Sequence, residues 1–361
     1  MSNLWVTFST DISGTFNDLS GNIISNLYKI YNFNGNLIDI TSNFIIYQFN
    51  NPIKSGVKLI SSNWSSLDNN IDILNPFQGY WLGGINTLSP LLFDNITIKT
   101  AVNLWTSNKD SAIQIYGDIN SWNVENVTDM SGLFQSKTTF NDDISNWKVG
   151  NVTTMYDMFV NATSFNQHLN SWNVDKVTTM AYMFNGCISF NSNISNWKVG
   201  NVTTMDGMFG GATKFNQDIS YWNVGNVTNM NFMFSNTNNF NSNISNWNVD
   251  NVTTMAFMFY QANNFNGNIS NWKVGNVTNM RFMFAEAVKF NQDLSAWNVD
   301  KVTDMENMFY QATNFNQNIR NWNVNKVTNM NYMFYNLPQY TDLASIDPNG
   351  RPTNYFDSQI M

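Results

Sequence analysis

The sequence predicts an α/β solenoid, a right-handed coil of nine 25-residue repeats preceded by a small mostly-β domain. Three observations carry that prediction. Tryptophan recurs at Trp122, Trp147, Trp172, Trp197, Trp222, Trp247, Trp272, Trp297 and Trp322, every 25 residues without insertion or deletion. Between tryptophans the same order of residues returns, as in Phe165-Asn-Gln-His-Leu-Asn-Ser-Trp172 through Val177-Thr-Thr-Met180-Ala-Tyr-Met183-Phe184. The chain before this array has a different texture, with β-branched and aromatic runs broken by Gly, Asn, Asp and Pro.

That first zone covers residues 1–96. Its strand-like runs are Leu4–Phe8, Asn43–Phe49, Val57–Ser61 and Tyr80–Leu82, with turn signals such as Asn34-Gly35 and Asn51-Pro52 between them. The Pro76–Leu82 segment resembles a turn-and-strand found in β-rich surface modules. Residues 97–115 suit a helical cap, because Ala101, Val102, Leu104, Trp105, Ala112 and Ile115 fall on one helical face. A repeat array needs such a cover over its first apolar layer. The array itself occupies 116–340, and 341–361, with Pro348, Gly350 and Pro352, reads as a C-terminal cap and tail.

Within one repeat, residues 140–164, the alternation around Ile144 predicts a short strand from Asp142 to Asn146. Val152, Met155, Met158, Phe159 and Ala162 then recur at three- and four-residue spacing, which predicts a helix of about three turns with Thr153 as its N-cap. A strand, a turn, a helix and a return loop in 25 residues is leucine-rich-repeat arithmetic, with Trp, Met, Phe and Ile in place of leucine. Right-handedness follows from the preferred hand of β–α connections. The asparagines Asn141, Asn166, Asn191, Asn216, Asn241, Asn266, Asn291 and Asn316 predict a stacked ladder that satisfies turn backbone groups.

The repeat sentence, carried well by Ile194-Ser-Asn-Trp197, Asn201-Val-Thr-Thr-Met205 and Met208-Phe209, closely resembles that of BspA-like leucine-rich-repeat surface proteins. The resemblance covers about 97–340. It implies a leucine-rich-repeat-like solenoid without enzymatic activity, displayed at a cell or virion surface and associated with adhesion.

Composition excludes several classes. A net charge of −8 and 12% charged residues leave no basic face for nucleic acid. Cys187 is the single cysteine, so neither an intrachain disulfide nor a thiolate zinc site can form, and its column is otherwise filled by small residues such as Ala162. The opening residues carry no basic start and no apolar run, and no stretch approaches membrane-span length. The expectation is therefore a soluble protein of cytoplasmic synthesis, without membrane insertion.

Function is expected where repeat columns vary. On the strand side Asp143, His168, Asp218 and Asp293 are candidates, but with Asp142 they supply too few and too mixed ligands for a metal. A Ser145/His168/Asp143 triad lacks the pocket that chemistry needs. On the helix side Tyr182, Phe232, Phe257, Tyr260, Phe282, Tyr310, Tyr332 and Tyr335 point outward in two columns. Two readings of that aromatic stripe stand: a partner-binding face, or helix staples such as Phe257 onto Val252. The Asn-Val-Thr units at Asn126, Asn151, Asn201, Asn226, Asn251 and Asn276 are glycosylation acceptors in an oxidising route, or simply carry the capping threonine. The functional expectation is a non-enzymatic binding or adhesion protein that recognises protein or glycan surfaces, with no cofactor. The alternative is a structural assembly component of a virion or envelope that self-associates through the aromatic face. A third reading, ice or crystal-surface binding by Thr and Asn ladders, fits the same regularity.

Overall fold

A computed structural model describes residues 92–338, 340 and 347–357, with the backbone of four short strands before them. Those strands are β1 (Phe16–Asn17), β2 (Ile23–Ile24), β3 (Asp39–Thr41) and β4 (Phe44–Ile46). β1 pairs antiparallel with β2, and β3 with β4. β4 lies inside the expected run Asn43–Phe49. The runs expected at 4–8, 57–61 and 76–82 lie outside the described residues. The chain divides into two compact units, Met1–Leu92 with Thr100–Trp122, and Phe93–Lys99 with Asn123–Met361.

Helix α1 runs over Thr97–Ser107 and α2 over Lys109–Tyr116. Asp94 starts α1 by accepting from the Ile96 and Thr97 N–H groups at 2.9 and 2.8 Å. Asn108 starts α2 by accepting from Ser111 N–H at 3.0 Å. Within the first unit Trp105 meets Trp122 edge-on at 5.6 Å, with the Lys109 ammonium 4.9 Å from the Trp105 ring centre.

The repeats form stacked coils in the second unit, but their internal structure differs from the expectation. No α-helix is present in the described residues after Tyr116. Where a helix was expected, the chain makes consecutive tight turns. Met158, Val160 and Ala162 donate to carbonyls three residues back, at 3.2, 3.1 and 2.8 Å. The intervening Met155, Asp157, Phe159 and Asn161 donate instead to Thr179, Ala181, Met183 and Asn185 of the next layer, at 3.1, 3.0, 2.9 and 2.7 Å. Every buried backbone donor must find an acceptor, and an identical layer alongside offers one at every second residue. The third residue of two of the turns adopts a left-handed conformation, Asp157 at φ 56° and Asn161 at φ 57°, which a helix forbids.

The strand expected at Asp142–Asn146 is likewise absent. Ile144 O accepts from Trp147 N–H at 3.1 Å in a turn, and Asp143 Oδ1 accepts from Ser145 N–H at 2.9 Å. The parallel pairing sits elsewhere, one residue per layer, linking Asp129, Thr154, Thr179, Thr204, Asn229, Thr254, Asn279, Asp304 and Asn329 in a continuous row. Beside that row, the threonines are not helix caps. Thr153 donates through both N–H (2.8 Å) and Oγ1 (3.1 Å) to Thr128 O, and Thr178 through Thr328 repeat the arrangement.

The core is a set of columns. Phe134, Phe159, Phe184 and Phe209 stack at 5.2 to 5.8 Å, and Phe140, Phe165, Phe190 and Phe215 form a second pile beside them. The Met155 and Met158 columns are buried with them, except Met330 in the last layer, which is partly exposed. Each such side chain contributes about 1.5–3 kcal/mol by leaving water. Buried tryptophan indoles also find partners: Trp172 Nε1 donates to Ile144 O at 3.1 Å, and Trp197 through Trp322 do the same in their layers. The asparagine ladder is present, with Asn141 Oδ1 accepting from Asn166 N–H at 2.8 Å and each later asparagine serving the next up to Asn316.

Both ends of the stack are closed by chain that imitates a layer. Asn95 Oδ1 accepts from Thr128 and Asp129 N–H at 2.8 and 3.1 Å, replacing the carbonyl a preceding threonine would offer. At the other end Gly350 O accepts from Phe334 N–H at 2.9 Å, Tyr340 stacks on Phe315 and Phe356 stacks on Trp322. Gly350 is required there. Its φ is 72°, and a Cβ would fall 2.4 Å from Tyr335 N.

Candidate interaction surface

The turns that replace the expected helix carry two variable columns whose aromatic members are partly exposed. One is the left-handed third residue of the first turn: Gly132, Asp157, Tyr182, Gly207, Phe232, Phe257, Phe282, Asn307 and Tyr332, with φ between 55° and 64°. The other lies three residues on and contains Tyr260, Tyr310 and Tyr335. The staple reading therefore falls. Phe257 is not at a helical position, and its N–H donates to Arg281 O in the next layer at 2.8 Å.

Glycine, Asn and Asp suit a left-handed residue, whereas a bulky side chain there costs about 1–2 kcal/mol. Five layers nevertheless carry Phe or Tyr in that column. Phe232, Phe257 and Phe282 compensate in part by stacking at 4.6 Å per step, within 9° of parallel. The Arg281 guanidinium lies 5.9 Å from the Phe257 ring centre and 5.1 Å from that of Phe282, and its Nε is 3.0 Å from Glu306 Oε2. Tyr260 packs edge-on against Phe257 and Phe282, and its hydroxyl reaches Glu286 Oε1 at 3.4 Å. The three phenylalanines stay half-buried. Tyr310 stacks on Tyr335 at 5.3 Å, and Tyr332 and Tyr335 remain 40% and 38% exposed.

A second group lies nearer the start of the stack. Tyr156 meets Tyr182 edge-on at 6.2 Å. The Tyr182 ring lies against Gly207, where a Cβ would approach it to 2.4 Å, so glycine makes room for that ring. Beside these rings are Asp157 and Asp206. Burial raises the Asp157 carboxyl above its ordinary value, and burial does the same for Asp206. Burial, and next the Asp206 charge, push the Tyr182 phenol up to about 12. Asp206 Oδ2 meets Asn229 Nδ2 at 3.5 Å, while its buried Oδ1 has no hydrogen-bond donor among the described residues.

The strand-side candidates have local duties. Asp143, Asp218 and Asp293 each accept from the N–H two residues on, at 2.9, 2.9 and 2.8 Å. Hydrogen bonds from Ser220, its side chain first, hold the Asp218 carboxyl below its ordinary value; backbone and then side-chain bonds from Ser295 do so for Asp293. His168 is exposed in the same column, and Asn170 beyond it accepts instead from Asn196 N–H in the next layer at 2.9 Å. No group of three or more His, Cys, Asp or Glu positioned to hold a metal occurs among the described residues. Cys187 is buried with its Sγ 2.8 Å from Phe159 O, and burial raises its thiol far above the ordinary range. The Asn-Val-Thr asparagines are tied into the stack: Asn151, Asn201, Asn226, Asn251 and Asn276 each donate to a carbonyl 26 residues earlier.

Sequence reasoning found the aromatic columns but not their backbone state. The signal was present, since Gly132, Gly186, Gly207, Gly211, Asn161, Asn236 and Asn336 stand in the middle of the supposed helices. Asp157 and Asp206 were missed because each appears in a single layer of its column.

No helix among the described residues is long and apolar enough to cross a membrane. No curated protein and no solved structure matches the chain. A repeat family described as "Mycoplasma protein of unknown function, DUF285" matches three times in overlapping register, over residues 102–209, 168–262 and 239–345. Together these matches cover well over half of the 361 residues, in the region built of stacked layers. The chain belongs to that DUF285 family.

Proposed function

We propose that this protein is a non-enzymatic binding module that recognises a protein surface, as an adhesion protein does, through the face formed by its turn columns. One observation carries the reading. Phe232, Phe257 and Phe282 sit in consecutive layers at left-handed positions and stay partly exposed, although the same column tolerates Gly and Asn elsewhere. Stability alone favours Gly or Asn there. An open aromatic patch is the usual mark of an interaction site. The resemblance to BspA-like leucine-rich-repeat surface proteins, with their right-handed solenoid, supports the same reading.

The test is capture from a cell-surface extract by wild type and by the triple variant Phe232→Asn/Phe257→Asn/Phe282→Asn. Asparagine is native to this column at Asn307, so the variant is expected to keep its circular dichroism and melting transition. Loss of capture with an intact fold is the expected result. Equal capture by both proteins sinks the proposal. Lateral self-association is the competing outcome, read as a concentration-dependent sedimentation coefficient that the same variant abolishes.

A further inference from the structure

The charges on the turn face are one-sided. Its columns carry Asp129, Asp157, Asp206, Glu286, Asp304 and Glu306 against a single base, Arg281. The lysines of the repeats lie in other columns: Lys148, Lys198 and Lys273 in one, Lys176, Lys301 and Lys326 in another, Lys214 and Lys289 in a third, and Lys137, just after the turns of the first layer, in a fourth. Arg281 is already matched by Glu306, and Asp129 by Lys99 at 3.8 Å. Asp157 and Asp206 have no ion-pair partner among the described residues, and they lie beside the crossed rings of Tyr156 and Tyr182. Tyr156 is 44% exposed, so the cluster opens to solvent. Two carboxylates with aromatic walls and no cation form a combination that attracts an organic cation.

Resting on the binding role proposed above, we infer that the partner is a cationic polypeptide, one lysine or arginine of which seats against Tyr156 and Tyr182 beside Asp157 and Asp206. The apolar stems of its neighbours pack along the Phe232–Phe257–Phe282 stack. Basic side chains suit this surface because their long stems cover apolar rings while their charged ends reach carboxylates.

The experiment uses the full chain and a short fluorescein-labelled peptide of alternating lysine and serine, with its glutamate counterpart as control. Fluorescence anisotropy gives the affinity at two salt concentrations. The key variant is Asp157→Asn/Asp206→Asn. Both substitutions install residues native to those columns, at Asn307 and Asn231, so folding is preserved. The charge-matched control is Asp175→Asn/Asp300→Asn, which removes two carboxylates from another column. The expected result is lysine-peptide binding that falls about tenfold or more in the key variant and less than about twofold in the control. Equal weakening in both variants overturns the inference, since it reports only general attraction to an acidic protein. No binding of the lysine peptide to wild type, or equal binding of the glutamate peptide, also overturns it. Surface capture separates the two ideas. If Asp157→Asn/Asp206→Asn leaves capture unchanged while the triple phenylalanine variant abolishes it, the cationic partner is wrong and the binding face stands. If neither variant changes capture, the binding face itself is wrong.

Discussion

Phe257 and Phe259 are two residues apart in one layer and live under opposite rules. Phe259 belongs to a column that is phenylalanine in every layer from Phe134 to Phe334, and it is fully buried between Phe234 and Phe284. Phe257 belongs to a column that reads Gly, Asp, Tyr, Gly, Phe, Phe, Phe, Asn, Tyr. Both residues donate their N–H to the next layer, so the backbone treats them alike. The difference lies in what the side chain meets. Inward, identical neighbours above and below leave space for one shape only, and packing dictates it. Outward, the layer imposes a left-handed φ and, as at Gly207 beside Tyr182, a local fit to the neighbouring layer, but no single shape, so the side chain there can serve something other than stability.

The largest effect that contrast predicts is interior. Phe259→Ala is expected to lower unfolding stability by about 3–5 kcal/mol, read from urea denaturation, because the stack cannot close around the gap. A loss below about 1 kcal/mol would show that layers slide to fill the space. Next come the ends. Asn95→Ala removes the acceptor of the Thr128 and Asp129 N–H groups and is expected to cost about 1–3 kcal/mol. Hydrogen exchange should show the first layer losing protection before the middle of the stack, and uniform protection would contradict its capping role. Gly350→Ala tests the other end in the same way through the amide of Phe334.

Phe257→Asn should have a far smaller effect. Relief of the left-handed strain, about 1–2 kcal/mol, opposes the loss of stacking at about 0.5–1.5 kcal/mol, so the net change is expected within about 1 kcal/mol of zero. A large destabilisation would move this column from recognition to structure. The smallest expected effects are in pH dependence. Asp206 has its carboxyl raised by burial, so the folded state holds its proton more tightly than the unfolded chain. Stability from this group is therefore complete below the ordinary Asp value of 3.8 and declines as pH rises through the higher folded value. Asp206→Asn should remove that decline from a melting curve series. The Tyr182 phenol, raised to about 12 from 10.0, contributes stability that is complete below pH 10 and lost as pH rises toward 12. In an ultraviolet titration Tyr182→Phe should delete a late-ionising tyrosine; loss of an ordinary one would contradict the burial.

Periodicity misled where two structures share a pattern. Apolar residues at 155, 158, 159 and 162 fit one face of a helix, and they fit equally a run of tight turns that points every third or fourth residue inward. What separates the two is where the backbone N–H groups go, and that depends on the neighbouring layer, which a single repeat cannot show. The asparagine ladder was legible because its explanation is already repetitive: a side chain that serves the layer alongside must recur in every layer. The threonine column obeys the same logic, yet beside a supposed helix it passes for a row of caps.

By itself, then, the sequence determined the 25-residue layer, the inward columns of Trp, Phe, Met and Ile, the asparagine ladder and the two aromatic columns. Each of these is fixed by spacing, and spacing survives in one dimension. Only the tertiary structure decided that the layers are built of turns, that the aromatic column is left-handed, and that Asp157 and Asp206 stand beside Tyr156 and Tyr182. Those features arise from hydrogen bonds and contacts between residues about 25 apart, where each layer completes the backbone of the one before it.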